Sequence, residues 1–356
     1  MRQIVALAAL AAMLAAGSAV QASTGRTFVS IGGTDANTAA NCAPTSPCRT
    51  FTAALSVTAA GGEVVVLDSG GYGPFTVTQS VIITAPDGVY AGIAVASGSG
   101  VTVNGTGITV TLHGLTINGT GGTTGINFLA GLGLNVENTT IANFSASGAH
   151  GILAMPTAMV KVIDSTLRDD DIGIEVDDGP RLSVVGTRFL GTLAGGVRSM
   201  STGVLVVENN RASVPSADIV GCEANEGVQS AFVTLSTDLT SGGGGTVLSV
   251  DRSIMVGGGT GVSVGAAGYS GLLIASISNS VFSKLDTAVA VGGGESSVFL
   301  NHNTLTGNTT AVNSTSPQTL IAGLVAIGIY SYGNNSFAGN GTDGTIYAVP
   351  SSAPLF

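Results

Sequence analysis

A short phrase recurs along most of this chain and constrains its fold more than any other feature. Each copy is a strand-like run that ends in a polar corner and an apolar residue, followed six to ten residues later by Gly-Ile-x-Val or a variant. A repeat of this size predicts a solenoid, in which each coil contacts only its neighbours. The copies are 137–141 with 151–153, 164–167 with 173–176, 186–189 with 196–197, 251–254 with 261–264, 279–281 with 288–291, and 302–305 with 311–312.

The apolar anchors of successive copies are spaced as a coil of three short strands and three turns requires. Ile117, Ile141, Leu167 and Phe189 follow one another at nearly equal intervals along the chain. The next anchor, Ile254, comes much later, and its distance from Phe189 is too great for two regular coils. This long interval predicts three coils.

Residues 1–22 have the composition of a secretory signal peptide. Arg2 is the only charged residue, residues 4–16 are apolar, and residues 20–22 form a small-residue cleavage site. The apolar stretch is shorter than the roughly 20 residues that a spanning helix needs. We therefore expect an exported protein whose mature chain begins at Ser23.

The charge of the chain excludes whole classes of partner. Its formal net charge is −10, and Lys161 and Lys284 are its only lysines. It therefore has no electrostatic footprint for nucleic acid or for an anionic membrane surface. The longest apolar run after residue 22 is 320–329, which is too short to span a membrane and suits a buried strand or a short helix.

Three cysteines remain to be assigned. Cys42 and Cys48 bracket a tight loop, and in an exported protein we expect them to form a disulfide. Metal binding is the alternative, although no histidine lies nearby and the spacing does not match a zinc site. Cys222 has no partner and is expected to be a buried, reduced residue.

The segment before the repeats predicts a cap for the first coil. Residues 24–48 read as irregular, and residues 49–60 read as a short amphipathic helix with Thr50 as its N-cap and Gly61 as its stop. A buried strand over 63–67 follows. The first coil of a solenoid exposes an apolar interior, and this helix is placed to cover it.

The segments 47–51, 61–68 and 71–73, with the Asn-rich corners and Gly-Ile-x-Val strands, resemble the pectin-lyase-like superfamily. Exported, mostly uncharacterised bacterial proteins of this kind are the nearest likeness. The resemblance implies a right-handed parallel β-helix of about ten coils with a short N-terminal capping helix. The expected organisation is a signal peptide at 1–22, an N-terminal segment at 23–62, the β-helix at 63–346 and a C-terminal tail at 347–356.

Seven of the 21 acidic residues lie between positions 164 and 178. Aligning 173–176 with 196–198 predicts that Glu175 and Arg198 point outward side by side, on neighbouring coils whose backbones are about 4.8 Å apart. By the resemblance, β-helix lyases hold Ca²⁺ with carboxylates and use Arg or Lys as base, whereas β-helix hydrolases use paired Asp residues. The catalytic candidates are Asp170, Glu175 and Arg198, and the metal candidates are Asp169, Asp170, Asp171 and Glu175.

The same cluster also fits a solvated, ion-paired surface. The hydrolase signature of the family is absent from the sequence, as is a convincing lyase motif. The recurring Asn and Asp residues at the corners fit a structural role, since they tolerate the left-handed backbone of a tight corner. The three histidines are dispersed and have no ligand spacing.

Three functions remain open. The first is an exported non-catalytic protein of the cell surface, for adhesion or for glycan binding. The second is a polysaccharide lyase or glycoside hydrolase that uses the acidic cluster at 164–198, and the third is a structural extracellular protein. The lack of Trp and the 5% aromatic content favour the first, because sugar-stacking clefts use aromatic faces. A polysaccharide or a cell-surface glycan is the expected partner, and Ca²⁺ is the only cofactor considered.

Overall fold

The computed structural model describes residues 23–155, 157–177, 179–194, 197–208, 216–236, 245–265, 272–292, 295–314 and 328–349. The predicted signal peptide and residues 320–327 of the long apolar run lie outside this range. The predicted all-β parallel solenoid with little helix is confirmed. Among the described residues, no helix has the length and hydropathy needed to cross a membrane.

Among the described residues, the coils build three parallel sheets of 13, 11 and 10 strands, and a complete coil contributes one strand to each sheet. The first sheet comprises β1 (Thr24–Val29), β2 (Thr58–Val66), β5 (Val81–Thr84), β8 (Thr109–His113), β11 (Gly133–Glu137), β14 (Met159–Ile163), β17 (Arg181–Val185), β22 (Ser216–Val220), β25 (Gly245–Asp251), β28 (Leu272–Ser278), β31 (Glu295–Asn301), β34 (Gly328–Ser331) and β36 (Tyr347–Ala348). The second comprises β3 (Gly70–Gly71), β6 (Ala91–Val95), β9 (Leu115–Gly119), β12 (Thr140–Ala142), β15 (Thr166–Arg168), β18 (Arg188–Leu190), β23 (Glu223–Ala224), β26 (Ile254–Val256), β29 (Val281–Ser283), β32 (Thr304–Thr306) and β35 (Ser336–Ala338). The third comprises β4 (Phe75–Val77), β7 (Ser99–Asn104), β10 (Thr124–Ala130), β13 (His150–Ala154), β16 (Ile172–Asp177), β21 (Met200–Glu208), β24 (Val228–Ser236), β27 (Thr260–Val264), β30 (Thr287–Val291) and β33 (Thr310–Ser314).

The interior of the solenoid is filled by columns of like residues. Alternation along each short strand turns every second side chain inward, and the parallel register stacks equivalent residues of successive coils. Burying each such Val, Ile, Leu or Phe stabilises the fold by about 1.5–3 kcal/mol. The second-sheet column runs through Ile93, Ile117, Ile141, Leu167, Phe189, Ala224, Met255, Phe282 and Leu305, all of them buried.

The corner between the first and second sheets explains the recurring polar phrase. One residue of each corner has a left-handed backbone, with φ between 47° and 73°: Gly114, Asn138, Asp164, Gly186, Gly221, Arg252, Asn279 and His302. In five of these corners the side chain of the following residue accepts a hydrogen bond from the backbone N–H of its counterpart in the preceding coil, and these acceptors are Ser165, Thr187, Ser253, Ser280 and Asn303. The backbone N–H of Ser253 donates to Ser280 Oγ at 3.1 Å, and that of Ser280 donates to Asn303 Oδ1 at 3.0 Å. The structural role predicted for the Asn and Asp corners is therefore confirmed at Asn138, Asp164 and Asn279.

Two predicted coil registers are wrong. The left-handed corner residue of the fourth copy is Arg252 rather than Asp251, so Met255 is buried and Ile254 points outward. In the same way Phe282 is buried, and its predecessor Val281 points outward. In the fourth copy the one-residue error came from aligning on the acidic Asp251, and in both copies it exchanges the two faces of the strand.

The region between Phe189 and Met255 contains two long coils, not three. Phe189 pairs with Ala224, which pairs with Met255, so each of these two coils is longer than any of the four from Ile93 to Phe189. The third-sheet strand that follows Phe189 begins at Met200, and Val204 stacks on Ile174. Gly203–Val204 therefore occupies the position that was predicted for residues 196–197. The extra residues of this coil protrude and do not form a coil of their own.

The capping helix is confirmed with different bounds. Helix α1 spans Phe51–Val57, and Thr50 Oγ1 caps it by accepting a hydrogen bond from the backbone N–H of Ala53 at 3.1 Å. It ends before Gly61 because β2 already begins at Thr58. The N-terminal segment before α1 is also more regular than predicted. A 3₁₀ helix spans Asp35–Ala40, and β1 pairs in parallel with β2 as the first strand of the first sheet.

The cysteine assignment is confirmed. Cys42 and Cys48 are bonded, with their Cα atoms 5.0 Å apart, and both are buried. Cys222 is free and buried, and burial raises the pKa of its thiol to about 11. It occupies the corner position that Ser253 holds in the next coil, and its backbone N–H donates to Ser253 Oγ.

Reducing the disulfide is expected to lower the free energy of unfolding by about 2 kcal/mol, the chain-entropy value for so short a loop. Denaturant unfolding of the mature protein with and without reductant measures the difference. The Cys222→Ser variant is the matched background, because serine fits that corner and removes the remaining thiol. Identical midpoints in the two conditions would contradict the expectation.

Candidate functional site

A cleft lies on the outer face of the second sheet, across the two long coils and the coil that follows. Arg188, Glu223 and Ile254 are in register on β18, β23 and β26 and point outward at its centre. The cleft has a volume of about 770 Å³. Its lining residues are Arg188, Leu190, Leu193, Arg198, Glu223, Ala224, Asn225, Glu226, Ile254, Val256, Gly257, Gly258, Lys284 and Asp286.

The extra residues of the first long coil form one wall of this cleft. Strands β19 (Leu193–Ala194) and β20 (Val197–Arg198) pair antiparallel, unlike the three main sheets. We call residues 192–194 and 197–199 the ribbon. Its base is closed by the backbone N–H of Ser199, which donates to the carbonyl of Thr192 at 3.0 Å.

Asp169 fixes the base of the ribbon to the coil beneath it. Its Oδ1 accepts hydrogen bonds from Thr192 Oγ1 at 2.8 Å and from Ser199 Oγ at 2.7 Å. Both ends of the ribbon are therefore held by one carboxylate oxygen. Asp169 was predicted as a metal ligand, and in the structure it is a structural acceptor.

Arg198 fixes the ribbon across the cleft. Its Nη2 lies 3.2 Å from Asp286 Oδ2, its Nη1 donates to Gln229 Oε1 at 3.2 Å, and its Nε donates to the carbonyl of Glu226 at 3.1 Å. The Arg198 side chain is only 19% exposed, whereas that of Asp286 is 65% exposed. One side chain thus joins the ribbon to three separate points on the neighbouring coils.

The charges of the cleft are balanced. Among the described residues that line it, three cations, Arg188, Arg198 and Lys284, face three carboxylates, Glu223, Glu226 and Asp286. Arg188 Nε lies 3.6 Å from Glu223 Oε2, and both side chains remain more than half exposed. Lys284 and Glu226 have no ion-pair partner among the described residues.

Apolar side chains complete the surface. Leu193, Ile254 and Val256 line the cleft and are each partly exposed to solvent. Among the described residues, none that line it is aromatic. The cleft therefore offers paired charges and aliphatic surface, without the aromatic platform that many sugar sites use.

The predicted pairing of Glu175 with Arg198 is wrong. Glu175 on β16 is in register with Leu205 on β21, because the ribbon displaces the next third-sheet strand to Met200–Glu208. Instead, Glu175 Oε2 lies 2.7 Å from His150 Nε2, and the two side chains are only 17% and 15% exposed. Glu175 points outward as predicted, but it is mostly covered. His150 directly precedes Gly151. Aligning residues 151–153 with 173–176 would therefore have placed His150 and Glu175 on adjacent coils.

Asp170 does not face a groove at all. It is fully buried, and its Oδ1 accepts a hydrogen bond from the backbone N–H of Phe144 at 3.0 Å. Its Oδ2 is also buried and has no hydrogen-bond partner among the described residues. Burial raises the pKa of this carboxyl to about 7, against the opposing effect of the Phe144 hydrogen bond.

Asp171 holds two segments of backbone together. Its Oδ2 accepts from the backbone N–H of Gly148 at 2.7 Å, and its own carbonyl accepts from Ser201 Oγ at 2.7 Å. The four predicted metal ligands thus make separate contacts, and their carboxylates do not converge on one point. In the part of the chain that the structure describes, no group of three or more His, Cys, Asp or Glu side chains is arranged to hold a metal ion.

The sequence reasoning missed most of the residues that do share a cleft. Only Arg198 was predicted as a candidate, while Glu223, Glu226, Lys284 and Asp286 were not. Glu223 follows the left-handed corner residue Gly221 by two positions, as Arg188 follows Gly186. Alignment on the left-handed residues would have placed Arg188 and Glu223 side by side.

Replacing Arg198 with alanine is expected to free the ribbon without unfolding the solenoid. Because the Asp286 side of the ion pair is 65% exposed, the pair contributes only about 0–1 kcal/mol, and the global free energy of unfolding should change by less than about 1 kcal/mol. Local opening should nevertheless make amide hydrogen exchange at Ser199 several-fold faster. Hydrogen exchange measured residue by residue tests this. Arg181→Ala, an exposed arginine on β17, is the control, and unchanged exchange at Ser199 would show that Arg198 does not hold the ribbon.

Comparison with known proteins agrees with this architecture. The family described as the right handed beta helix region matches residues 99–253. A solved pectate lyase shares 14% identity with a TM-score of 0.53, over 95% of this chain and 80% of the lyase. A polygalacturonase from Erwinia carotovora ssp. carotovora shares 10% identity with a TM-score of 0.57, over 94% of this chain and 98% of the enzyme.

A third solved structure, the catalytic unit of a GH87 α-1,3-glucanase from Streptomyces thermodiastaticus strain HF3-3, shares 14% identity with a TM-score of 0.54, over 94% of this chain and 72% of that one. No curated protein sequence matches this chain. The protein is a right-handed parallel β-helix. It shares this fold with the three solved structures, which agrees with the fold that the resemblance implied.

Proposed function

We propose that this protein acts on a polysaccharide that it holds in the cleft. The observation that carries the proposal is the cleft itself, an open groove of about 770 Å³ walled by the ribbon and lined by both charged and aliphatic side chains. Exposed carboxylates and guanidinium groups accept and donate hydrogen bonds to sugar hydroxyls. The aliphatic side chains of Ile254 and Val256 provide contact area for the C–H faces of sugar rings.

The lyase or hydrolase interpretation is favoured over adhesion or a structural role. The three solved structures of the same fold are named as a pectate lyase, a polygalacturonase and an α-1,3-glucanase. Glycoside hydrolysis needs two carboxyl groups, and β-elimination needs a base near a cation. Glu223, Glu226 and Asp286 are the candidate carboxyl groups in the cleft, and Arg188, Arg198 and Lys284 are the candidate cations.

Non-catalytic glycan binding is the second candidate. It is supported by the ion pairs within the cleft, since Arg188 faces Glu223 and Arg198 faces Asp286. A carboxylate that is ion-paired with an arginine accepts a proton from a substrate less readily than an unpaired carboxylate does. Glu226 is then the carboxylate in the cleft that is best placed to act on a ligand.

We also infer that the protein works outside the cytoplasm. Residues 1–22 support this with the composition of a signal peptide. The bond between Cys42 and Cys48 supports it independently, because such bonds persist in oxidising compartments. Expression of the full chain, with N-terminal sequencing of the exported product, tests the inference, and a cytoplasmic protein that keeps residue 1 would contradict it.

A screen with two readouts tests the proposed function. Purified mature protein is mixed with soluble polysaccharides, binding is followed by affinity electrophoresis, and cleavage is followed by reducing ends and by unsaturated products. We expect binding that weakens when Glu223 and Glu226 are changed to Gln. Cleavage that falls at least about a hundredfold in one of these variants would establish the enzyme, since acid–base groups contribute that much.

Asp218→Asn, on the outer face of the first sheet, is the control variant and should change neither readout. Binding without any cleavage would select the second candidate. Failure to bind any polysaccharide would refute the proposal.

A further inference from the structure

We infer that the glycan held in the cleft is uncharged. This inference rests on the proposed function and concerns the chemistry of the ligand. It is carried by the balance of charge in the cleft, by the pairing of those charges and by the apolar surface between them. An acidic polysaccharide carries a negative charge on each acidic sugar and would need an excess of free cations along its path.

The cleft has no such excess. Its three cations face three carboxylates, and two of the cations are already within 4 Å of a carboxylate. Lys284 is the one cation of the cleft without an ion-pair partner among the described residues, and Glu226 is its unpaired counterpart. The carboxylates are also presented to the ligand, because the side chains of Glu223 and Asp286 are 57% and 65% exposed.

The electrostatic field of the whole protein also disfavours an acidic polysaccharide. With a formal net charge of −10, the protein repels a polyanion as it approaches. A bridging divalent cation would relieve this repulsion only if side chains converged to hold it. Among the described residues, no three His, Cys, Asp or Glu side chains form such a group.

An uncharged sugar chain matches what the cleft does provide. Paired Arg and carboxylate groups keep fixed donors and acceptors for hydroxyl groups, and their mutual pairing limits the cost of desolvation. Leu193 on the ribbon and Ile254 on β26 place aliphatic surface on two sides of the cleft. Apolar contact with ring C–H groups is available to neutral sugars without a charge penalty.

The test compares neutral and acidic polysaccharides on the same protein. The probes are soluble starch, β-glucan, xylan and galactomannan against polygalacturonate and alginate, with affinity measured at low and at high NaCl concentration. We expect a neutral polysaccharide to bind best, with an affinity that changes less than about twofold with salt, because screening weakens only interactions between charges and a neutral polymer carries none.

The double variant Glu223→Gln/Glu226→Gln sharpens the comparison. Removing two carboxylates should strengthen polygalacturonate binding several-fold while it weakens the binding of the neutral polymer. Tightest binding to polygalacturonate or alginate, lost in high salt and in Lys284→Met, would overturn this inference and leave the proposed function standing. Binding to none of the six would refute the proposed function itself.

Discussion

Replacing Asp170 with asparagine is expected to stabilise the protein above neutral pH by up to about 4 kcal/mol and to have little effect near pH 4. In the folded state burial raises the pKa of this carboxyl to about 7, whereas its ordinary value is 3.8. The folded state therefore keeps a proton that the unfolded chain releases. The stabilising effect of that proton is fully present below pH 3.8 and is lost as the pH rises to about 7.

The size of the effect follows from the same linkage. The difference in unfolding free energy between Asp170→Asn and wild type should grow by about 1.4 kcal/mol for each pH unit between about 4 and 7, and then stay constant. Denaturant unfolding at half-unit pH steps measures the difference curve. Asp164→Asn is the matched control, since Asp164 is an exposed corner residue and Asn138 holds the same corner in the preceding coil.

Asparagine also fits the geometry of this position. In two later coils the equivalent residues are Asn308 and Asn340, whose Oδ1 atoms accept from the backbone N–H groups of Leu285 and Asn308, each at 3.0 Å. Their Nδ2 groups donate to backbone carbonyls, those of Phe282 and Leu305 respectively. In Asp170 the corresponding Oδ2 is buried and finds no hydrogen-bond partner in the part of the chain that the structure describes. A variant that is less stable than wild type at pH 8 would contradict this account.

Replacing Phe51 with alanine is expected to lower the free energy of unfolding by about 3–5 kcal/mol, the usual cost of removing a buried phenylalanine. Phe51 opens α1 and is buried, and its ring centroid lies 5.4 Å from that of Tyr72 and 4.5 Å from that of Phe75. Phe75 is in β4, the terminal strand of the third sheet. The variant should also self-associate, because the helix no longer covers the open end of the first coil.

Chemical denaturation and sedimentation velocity at two concentrations measure the two effects. Thr52→Ala is the control, since Thr52 is exposed on the same helix and its replacement leaves the cap intact. A loss of less than about 1 kcal/mol in Phe51→Ala, with no self-association, would show that α1 is not the cap.

Much of the fold could be predicted from the sequence, because it depends on local chemistry. The repeat length, the small residues before the inward Ile or Val, and the Asn and Asp corners each depend on a few adjacent residues, so the pattern predicts the solenoid directly. The N-cap at Thr50 and the bond between Cys42 and Cys48 are local in the same sense. Short-range geometry determines these features, and the path of the chain beyond them has no influence.

The candidate site is different, because its residues depend on how long each coil is. The two coils after Phe189 are longer than those that lead up to it, and the added length of the first forms the ribbon. That insertion moved Arg198 away from Glu175 and placed it against Asp286, 88 positions further along the chain.

The sequence by itself determined the parallel solenoid, its left-handed corners, its cap and its disulfide, since each follows from neighbouring residues and a fixed period. Only the tertiary structure decided which coils are long, which carboxylates are buried, and which charges meet in one cleft. The physical reason is that the direction of a side chain follows from register. An acidic run such as 169–171 sends Asp170 into the interior and Asp169 to the base of the ribbon, although the two residues are adjacent.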